Sequence, residues 1–461
     1  MTCLKQLGFL FLGLLLFGKL EESNAQSYRA VVVPYAQKEE QIPTVVVNDN
    51  TRQYVSTITQ LKDDADIIVF PENGITSTTP VGDTISHNIP FSIVLQPGTK
   101  TNFNEDVLPN ISSAAKSNKM YVVINVLEFH NASKEELYST DLVFDPEGKQ
   151  IATCRKKYLY KEQFYSKGNP NQDCTFEAYF RRINVNVTFA ILFDTDLLVE
   201  TSDKFEKIHD AVLTSSLQNE LPLPFGVSLQ QGFAVRNKVN LLAAGYADSS
   251  EGYGGSGIYL RNGKSKVVLT SESLLNLDVP VDQKPSDVIN VVVTPPDKPD
   301  ILQKVIYKNL PTSDNSSYCT FHMDPKDMQP YRWLSFTNGT ELLGQQKNFV
   351  FCALIKPEES KDQPKIVNNL TIVVNLKTDT IEQVLPLSLA SGSKMVPANF
   401  ELKEEKKEGV VTITMNLSEP KDLSVFGVLF TLKNSASVFV SHVLFVSFLP
   451  LLSILWSKLI I

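Results

Sequence analysis

The chain is poor in histidine, with five in 461 residues. They are scattered, without the paired spacing that a tetrahedral metal site needs. No Gly-X-Ser-X-Gly elbow and no phosphate-cradling glycine loop occurs, which argues against α/β-hydrolase-type serine enzymes and P-loop enzymes. A basic block is missing too. The densest run is Arg155-Lys156-Lys157, and the formal net charge is −8. Nucleic acid and anionic membrane surfaces therefore have no electrostatic footprint here. There is no internal repeat and no low-complexity segment, and no residue pattern calls for a cofactor. What is present is an ordinary globular composition, 43% hydrophobic and 20% charged. Its length exceeds what one core usually holds, so two domains are expected.

The two ends read as processing signals. Lys5, the apolar run Leu7 to Phe17 and the small-residue site Ser23-Asn24-Ala25 predict a signal peptide over residues 1–25. Residues 434–461 are small residues (Asn434-Ser435-Ala436-Ser437) followed by an apolar tail. That pattern predicts a glycolipid-anchor signal with Asn434 or Ser435 as the anchor residue. A retained membrane helix is the alternative, because the tail is about long enough to span.

The expected location is then the outer face of the cell membrane, with the membrane itself as partner through the lipid. Sequons at Asn110, Asn131, Asn315, Asn338, Asn369 and Asn416 agree with export. The further sequon at Asn186 falls in an expected core strand and is read as coincidence. Once Cys3 leaves with the leader, Cys154, Cys174, Cys319 and Cys352 remain. An even number in an oxidising compartment predicts two disulfides. Chain order favours Cys154–Cys174 and Cys319–Cys352, among three possible pairings.

Along the mature chain, short β-rich runs alternate with helical patterns. Arg29 to Val33 and Ile67 to Phe70 read as buried strands. Tyr54, Ile58 and Leu61 recur at helical spacing and predict an amphipathic helix over Thr51 to Lys62. Tyr121 to Val126 is a further strand. Asp145-Pro146-Glu147-Gly148 marks a hairpin turn, and a helix is expected around Phe225 to Arg236. Beyond the proline-rich Val292 to Pro299, the runs near 370, 382 and 410 are β-type without helices between them. The expectation is an α/β layered domain followed by a mostly β one.

The one segment with a chemical signature of its own is Phe70-Pro71-Glu72-Asn73-Gly74. It sets a carboxylate at the tip of a buried strand, where α/β folds bind ligands. Burial would raise its pKa and poise it as a general base.

This segment resembles the Phe-Pro-Glu signature of the nitrilase superfamily, and of its vanin and biotinidase branch in particular. Asp141 to Asp145, Gly148-Lys149, Arg155 to Tyr160 and Glu162-Gln163-Phe164 resemble the lysine segment of that branch. Val239 to Ala243 and Gly255 to Tyr259 resemble its later core. The resemblance implies a nitrilase-type α-β-β-α sandwich over residues 26–290 and a smaller, mostly β domain over 291–433. It also implies a catalytic set of glutamate base, lysine and cysteine nucleophile acting on an amide. The glutamate carries over to Glu72 and the lysine to Lys156, with adjacent Lys157 left open. Glu128 resembles a supporting acidic position.

The cysteine has no counterpart. The family strand ends in Cys-Phe-Asp, and Ile191-Leu192-Phe193-Asp194 puts Leu192 in its place. Leucine has no lone pair with which to attack a carbonyl. Thr188, Thr195, Cys154 and Cys174 are the candidate substitutes. Two readings follow: a pseudoenzyme that retains the pocket for a small amide ligand, or an amidohydrolase acting on pantetheine-like or biotinyl-amide substrates.

Overall fold

The computed structural model describes residues 26–37, 43–76, 93–94, 106–131, 135–160, 162, 165–200, 202–221, 226–248, 252–269, 273–293, 306–307, 318–324, 330–342, 345–356, 365–391 and 397–433. The leader, Asn315, and the anchor residues Asn434 and Ser435 lie outside them.

The first half supplies strands β1 (Ser27–Val32), β2 (Ile67–Val69), β3 (Ile93–Val94), β4 (Tyr121–Asn131), β5 (Glu135–Phe144), β6 (Gln150–Arg155), β7 (Thr175–Phe180), β8 (Val185–Phe193), β9 (Asp210–Ser215), β10 (Glu220–Leu221), β11 (Asn240–Gly245), β12 (Ser256–Tyr259), β13 (Lys264–Val268), β14 (Leu275–Pro280) and β15 (Val288–Val293). Its helices are α1 (Pro43–Gln60), α2 (Val107–Asn118) and α3 (Val227–Asn237). The second half adds β16 (Ile306–Tyr307), β17 (Cys319–Asp324), β18 (Arg332–Leu342), β19 (Gln345–Ile355), β20 (Asn369–Lys377), β21 (Ile381–Ala390), β22 (Phe400–Lys407), β23 (Val410–Leu417) and β24 (Leu423–Leu432).

One sheet runs β14-β1-β2-β4-β5-β6, with β3 beside β4. The second begins β7-β8-β9-β11-β12-β13 and continues through β15 into β22, β23, β20 and β17. These two sheets face each other across a core of aromatic and β-branched side chains. Tyr28 stacks on Phe180 at 4.5 Å, and Phe176 on Phe189 at 5.0 Å. Helices α1 and α2 cover the outer face of the first sheet, burying Val47, Tyr54, Ile58 and Ile111 against Val31, Ile68 and Val122. Helix α3 covers the outer face of the second. The layers are therefore α-β-β-α, an α/β fold with a mostly β C-terminal portion.

A third sheet, β18-β19-β24-β21, closes over α3. Gly232 of α3 lies so close to the Pro386 carbonyl that a Cβ would collide with it. Ser388 N–H donates to Ser228 Oγ at 3.1 Å, and Gln383 Nε2 to the Leu197 carbonyl at 3.1 Å. The C-terminal portion thus braces the turn that follows β8. Strand β15 crosses residue 290 and pairs with β13 on one side and β22 on the other, so the second sheet is continuous there.

Disulfides join Cys154 to Cys174 and Cys319 to Cys352. The first ties β6 of one sheet to the start of β7 in the other. The second ties β17 to β19 of the third sheet.

Two sequence expectations change. Helix α1 begins eight residues before Thr51, because Val46 and Val47 extend its buried stripe. Asn186 is exposed, since the outer face of β8 is uncovered at its N-terminal end, so its sequon is not buried in a core strand. Asn110 (on α2) and Asn369 are exposed as well.

Candidate active site

Strand β2 is apolar and stops at Pro71, so the chain turns out of the sheet with Glu72 first into the space between the layers. Asn73 takes the left-handed conformation (φ 60°), and its N–H donates to Asn125 Oδ1 at 3.1 Å, which fixes the turn. Glu72 is fully buried. Its carboxylate accepts from Ser139 Oγ at 2.7 Å and from Lys156 Nζ at 3.0 and 3.1 Å.

Lys156 is the first residue after β6. Its N–H donates to the Ser139 carbonyl at 2.8 Å, and its own carbonyl accepts from Gly168 N at 2.8 Å. Both backbone groups being tied, the side chain enters the interior, where it is 2% exposed. Its ammonium meets three carboxylates: Glu72, Glu162 at 2.7 Å and Asp194 at 2.9 Å. An ammonium has three N–H bonds, and three acceptor groups surround it.

Three acids against one base leave a negative surplus in a buried place. Burial pushes the Glu72 carboxyl well above its usual range; Lys156 pulls it down, while Asp194 and Glu162 push it up further. Glu162 is raised for the same leading reason. Burial alone would lower the Lys156 ammonium, but Asp194, Glu162 and Glu72 together raise it well above the usual lysine value. The same crowding favours the charged lysine and opposes full ionisation of the acids around it.

A second row supports the first. Asn125 Nδ2 donates to Ser139 Oγ at 3.0 Å and to Asp141 Oδ1 at 2.8 Å. Thr214 Oγ1, on the facing sheet, lies 2.9 Å from both Asp141 oxygens. Burial pushes the Asp141 carboxyl up to about 8, against the hydrogen bonds from Asn125 and Thr214.

The sequence-predicted residues separate. Glu72 and Lys156 come together. Leu192 does not join them: it is fully buried on the other face of the sheet, packed among the residues under α3. Positions alternate along β8, so Ala190 and Leu192 face α3 while Ile191 and Phe193 face the inter-sheet core. The chain then leaves the strand, and Asp194 opens the 3-10 turn Asp194–Leu198. Asp196 Oδ2 accepts from Phe193 N at 2.9 Å and closes that turn, leaving Asp194 against Lys156.

Glu128 stands apart from this cluster. It accepts Arg155 Nε at 2.8 Å and Nη2 at 2.6 Å, together with Thr140 Oγ1 at 2.7 Å. The supporting acid of the lysine is Glu162, six residues further along the chain. In the sequence Glu162 is part of the Glu162-Gln163-Phe164 likeness and carries no role of its own. Lys157 lies 4.0 Å from Glu200 instead.

Cys154 and Cys174 are bonded to each other, and the other two described cysteines likewise, so no free thiol exists among the described residues. Thr195 Oγ1 donates to the Tyr158 carbonyl at 2.8 Å.

Comparison with known proteins gives these residues a context. The carbon-nitrogen hydrolase family model matches residues 32–209. Vanin-like protein 3 of Drosophila melanogaster is 26% identical over 437 residues, 80% of this chain and 82% of that protein. Biotinidase of Bos taurus is 29% identical over 215 residues, 42% of this chain and 40% of that one. Pantetheinase of Canis lupus familiaris is 30% identical over 250 residues, 50% and 47% of the two chains. The chain thus spans under half the length of these last two. A crystal structure of an amidase from Nesterenkonia sp. superposes with a TM-score of 0.42 at 13% identity, covering 55% of this chain and 91% of that one. Residues 32–209 are a carbon-nitrogen hydrolase domain, and the chain is a relative of the vanin and biotinidase branch of the nitrilase superfamily.

Proposed function

We propose that this protein is a vanin-like extracellular glycoprotein, held at the membrane by a glycolipid, whose amidase site is disarmed. The observation that carries the reading is the Asp194 carboxylate 2.9 Å from Lys156 Nζ. Asp194, rather than Leu192, stands at the nucleophile's position. Taking Asp194-Thr195-Asp196 as the counterpart of Cys-Phe-Asp also keeps the last aspartate, which closes the turn.

A carboxylate is a poor substitute for a thiolate here, because attack on an amide would have to form an anhydride from an unreactive acyl group. The lysine is disarmed as well. Its donors are committed to Glu72, Glu162 and Asp194, leaving none for a developing oxyanion. The retained cluster is then a binding site for a small amide or a remnant held for structure.

A second reading has one observation in its favour. The Ser139 hydroxyl donates to Glu72 at 2.7 Å, the contact a displaced serine nucleophile would make with its base.

The test is hydrolysis of pantetheine and of a biotinyl amide by the protein released from cells. No turnover above buffer supports the disarmed reading. Turnover abolished by both Glu72→Gln and Ser139→Ala, in folded variants, establishes the serine hydrolase instead. Release of the protein from cells by a phosphatidylinositol-specific phospholipase tests the anchor, and retention after that treatment favours the membrane helix.

A further inference from the structure

The sequon Asn186-Val187-Thr188 lies at the end of β8 opposite Asp194, beside the turn that joins β7 to β8. Side chains alternate between the two faces along both strands. Phe176, Ala178, Phe180, Val187 and Phe189 point into the core between the sheets, so Tyr179 and Asn186 stand on the outer face. Both are exposed there, Tyr179 by 44%. The Asn186 side chain makes no hydrogen bond among the described residues. Asn416 differs. It is half-buried, its Nδ2 donates to Glu401 Oε2 at 3.4 Å, and its Oδ1 accepts from Thr371 Oγ1 at 2.8 Å. A free amide is thus particular to where Asn186 sits and does not come with every sequon.

Tyr179 and Asn186 are also direct partners across the hairpin. The Tyr179 N–H turns away from β8 and donates to Tyr121 Oη at 2.8 Å. The two residues therefore form a non-hydrogen-bonded pair, the kind whose opposed side chains stand closest together. The Tyr179 hydroxyl donates to Asn184 Oδ1 in the turn, which holds the ring at the end of the hairpin with part of its surface open. Strand β7 ends its sheet among the described strands, so this corner is also an open sheet edge.

We propose that Asn186 carries an N-linked glycan whose first sugar packs on the Tyr179 ring. The inference rests on the export proposed above, which brings the chain to a lipid-linked oligosaccharide donor. Asn186 Nδ2 forms a bond to C1 of the sugar and gives up one proton to solvent, while the bond from C1 to the donor's diphosphate breaks. Transfer takes place on the unfolded chain, and the fold must then leave room for the product. Here the amide faces solvent, and the neighbouring ring offers the apolar C–H face of the sugar a surface. The glycan also crowds the open edge of β7 against pairing with another strand.

The test takes the natural protein from the cells that make it, digests it, and treats the peptides with a peptide-N-glycosidase in heavy-oxygen water. An enzyme-free portion registers spontaneous deamidation. Enzyme-dependent conversion of Asn186 to labelled aspartate is expected by mass spectrometry. Label at Asn110 or Asn369 with none at Asn186 overturns this inference and leaves export standing. Label at none of the three overturns both. The packing on Tyr179 is read by thermal unfolding. Asn186→Gln is expected to lower the midpoint by roughly 1–2 °C, and to leave it unchanged in Tyr179→Thr, which lacks the ring. Both positions are exposed, so neither substitution opens the core. An equal fall in both backgrounds, or none in either, overturns the packing.

Discussion

Arg155 and Lys156 are neighbours in the chain, yet they anchor clusters of opposite balance. Arg155 faces the rim of the first sheet and is partly exposed. Its guanidinium makes a two-pronged pair with Glu128, lies 4.1 Å over the Tyr138 ring and touches His130 Nδ1 at 3.2 Å. One cation answers one anion, with an aromatic face to spread the charge on. Lys156 faces inward and meets three carboxylates. The first cluster is complete as structure, and stability alone accounts for it. The second is in surplus, and stability alone gives no reason to bury three acids around one base. A surplus of that kind is what the proposed exchange of the nucleophile for Asp194 would leave behind.

The largest way to break this contrast is Lys156→Met. It strips from Glu72, Glu162 and Asp194 the one cation that pairs with them among the described residues, and removing one partner of a buried ion cluster costs about 3–5 kcal/mol. Urea denaturation of the secreted protein is expected to show that loss, or the variant fails to leave the cell.

Next comes pH. Asp141 is held up at about 8 by burial, from an ordinary 3.8, and Glu72 is raised as well. A folded-state pKa above the unfolded value means the native state keeps its proton longer. The stability linked to Asp141 is therefore fully present below about pH 4 and is lost as pH rises through 8. The slope for one such proton is roughly 1.4 kcal/mol per pH unit at most. Thermal unfolding is expected at higher temperature at pH 5 than at pH 8, and Asp141→Asn is expected to flatten that difference. A profile rising from pH 5 to pH 8 would contradict it.

Glu128→Gln sharpens the comparison from the balanced side. It removes a charge-assisted, two-pronged pair from a partly exposed arginine, so a loss of about 1–3 kcal/mol is expected in denaturant titration. Glu72→Gln is the smallest. It relieves one of three crowded acids while keeping an acceptor for Ser139, so stability changes by about 1 kcal/mol or less, and upward if at all. Were Glu72→Gln to destabilise more than Glu128→Gln, the claim of a surplus would fail.

Much of this was legible in the chain. The buried strand ending at Pro71 announces Glu72, and the segment after the hairpin at Asp145 to Gly148 announces Lys156. The disulfide pairing also followed from chain order. What the chain hid was where β8 ends. Ile191-Leu192-Phe193 is apolar throughout, so no polar landmark marks the exit from the sheet, and Phe193-Asp194 imitates the Phe-Asp that follows the family's cysteine. The turn closed by Asp196 settles which residue meets Lys156, and a turn is a three-dimensional fact. Glu128 misled for a related reason: its strand is adjacent, but its side chain answers to Arg155 across β5 and β6. Glu162 could have been found, because it follows the lysine by six residues within the same motif.

The central claim is that Asp194 holds the nucleophile's place. The most direct measurement compares hydrolysis of pantetheine and a biotinyl amide by Asp194→Cys and Leu192→Cys, prepared side by side with the natural protein. Turnover, or a covalent acyl adduct on the new thiol seen by mass spectrometry, is predicted for Asp194→Cys alone. Activity in Leu192→Cys with none in Asp194→Cys would contradict the account and return the nucleophile's position to Leu192.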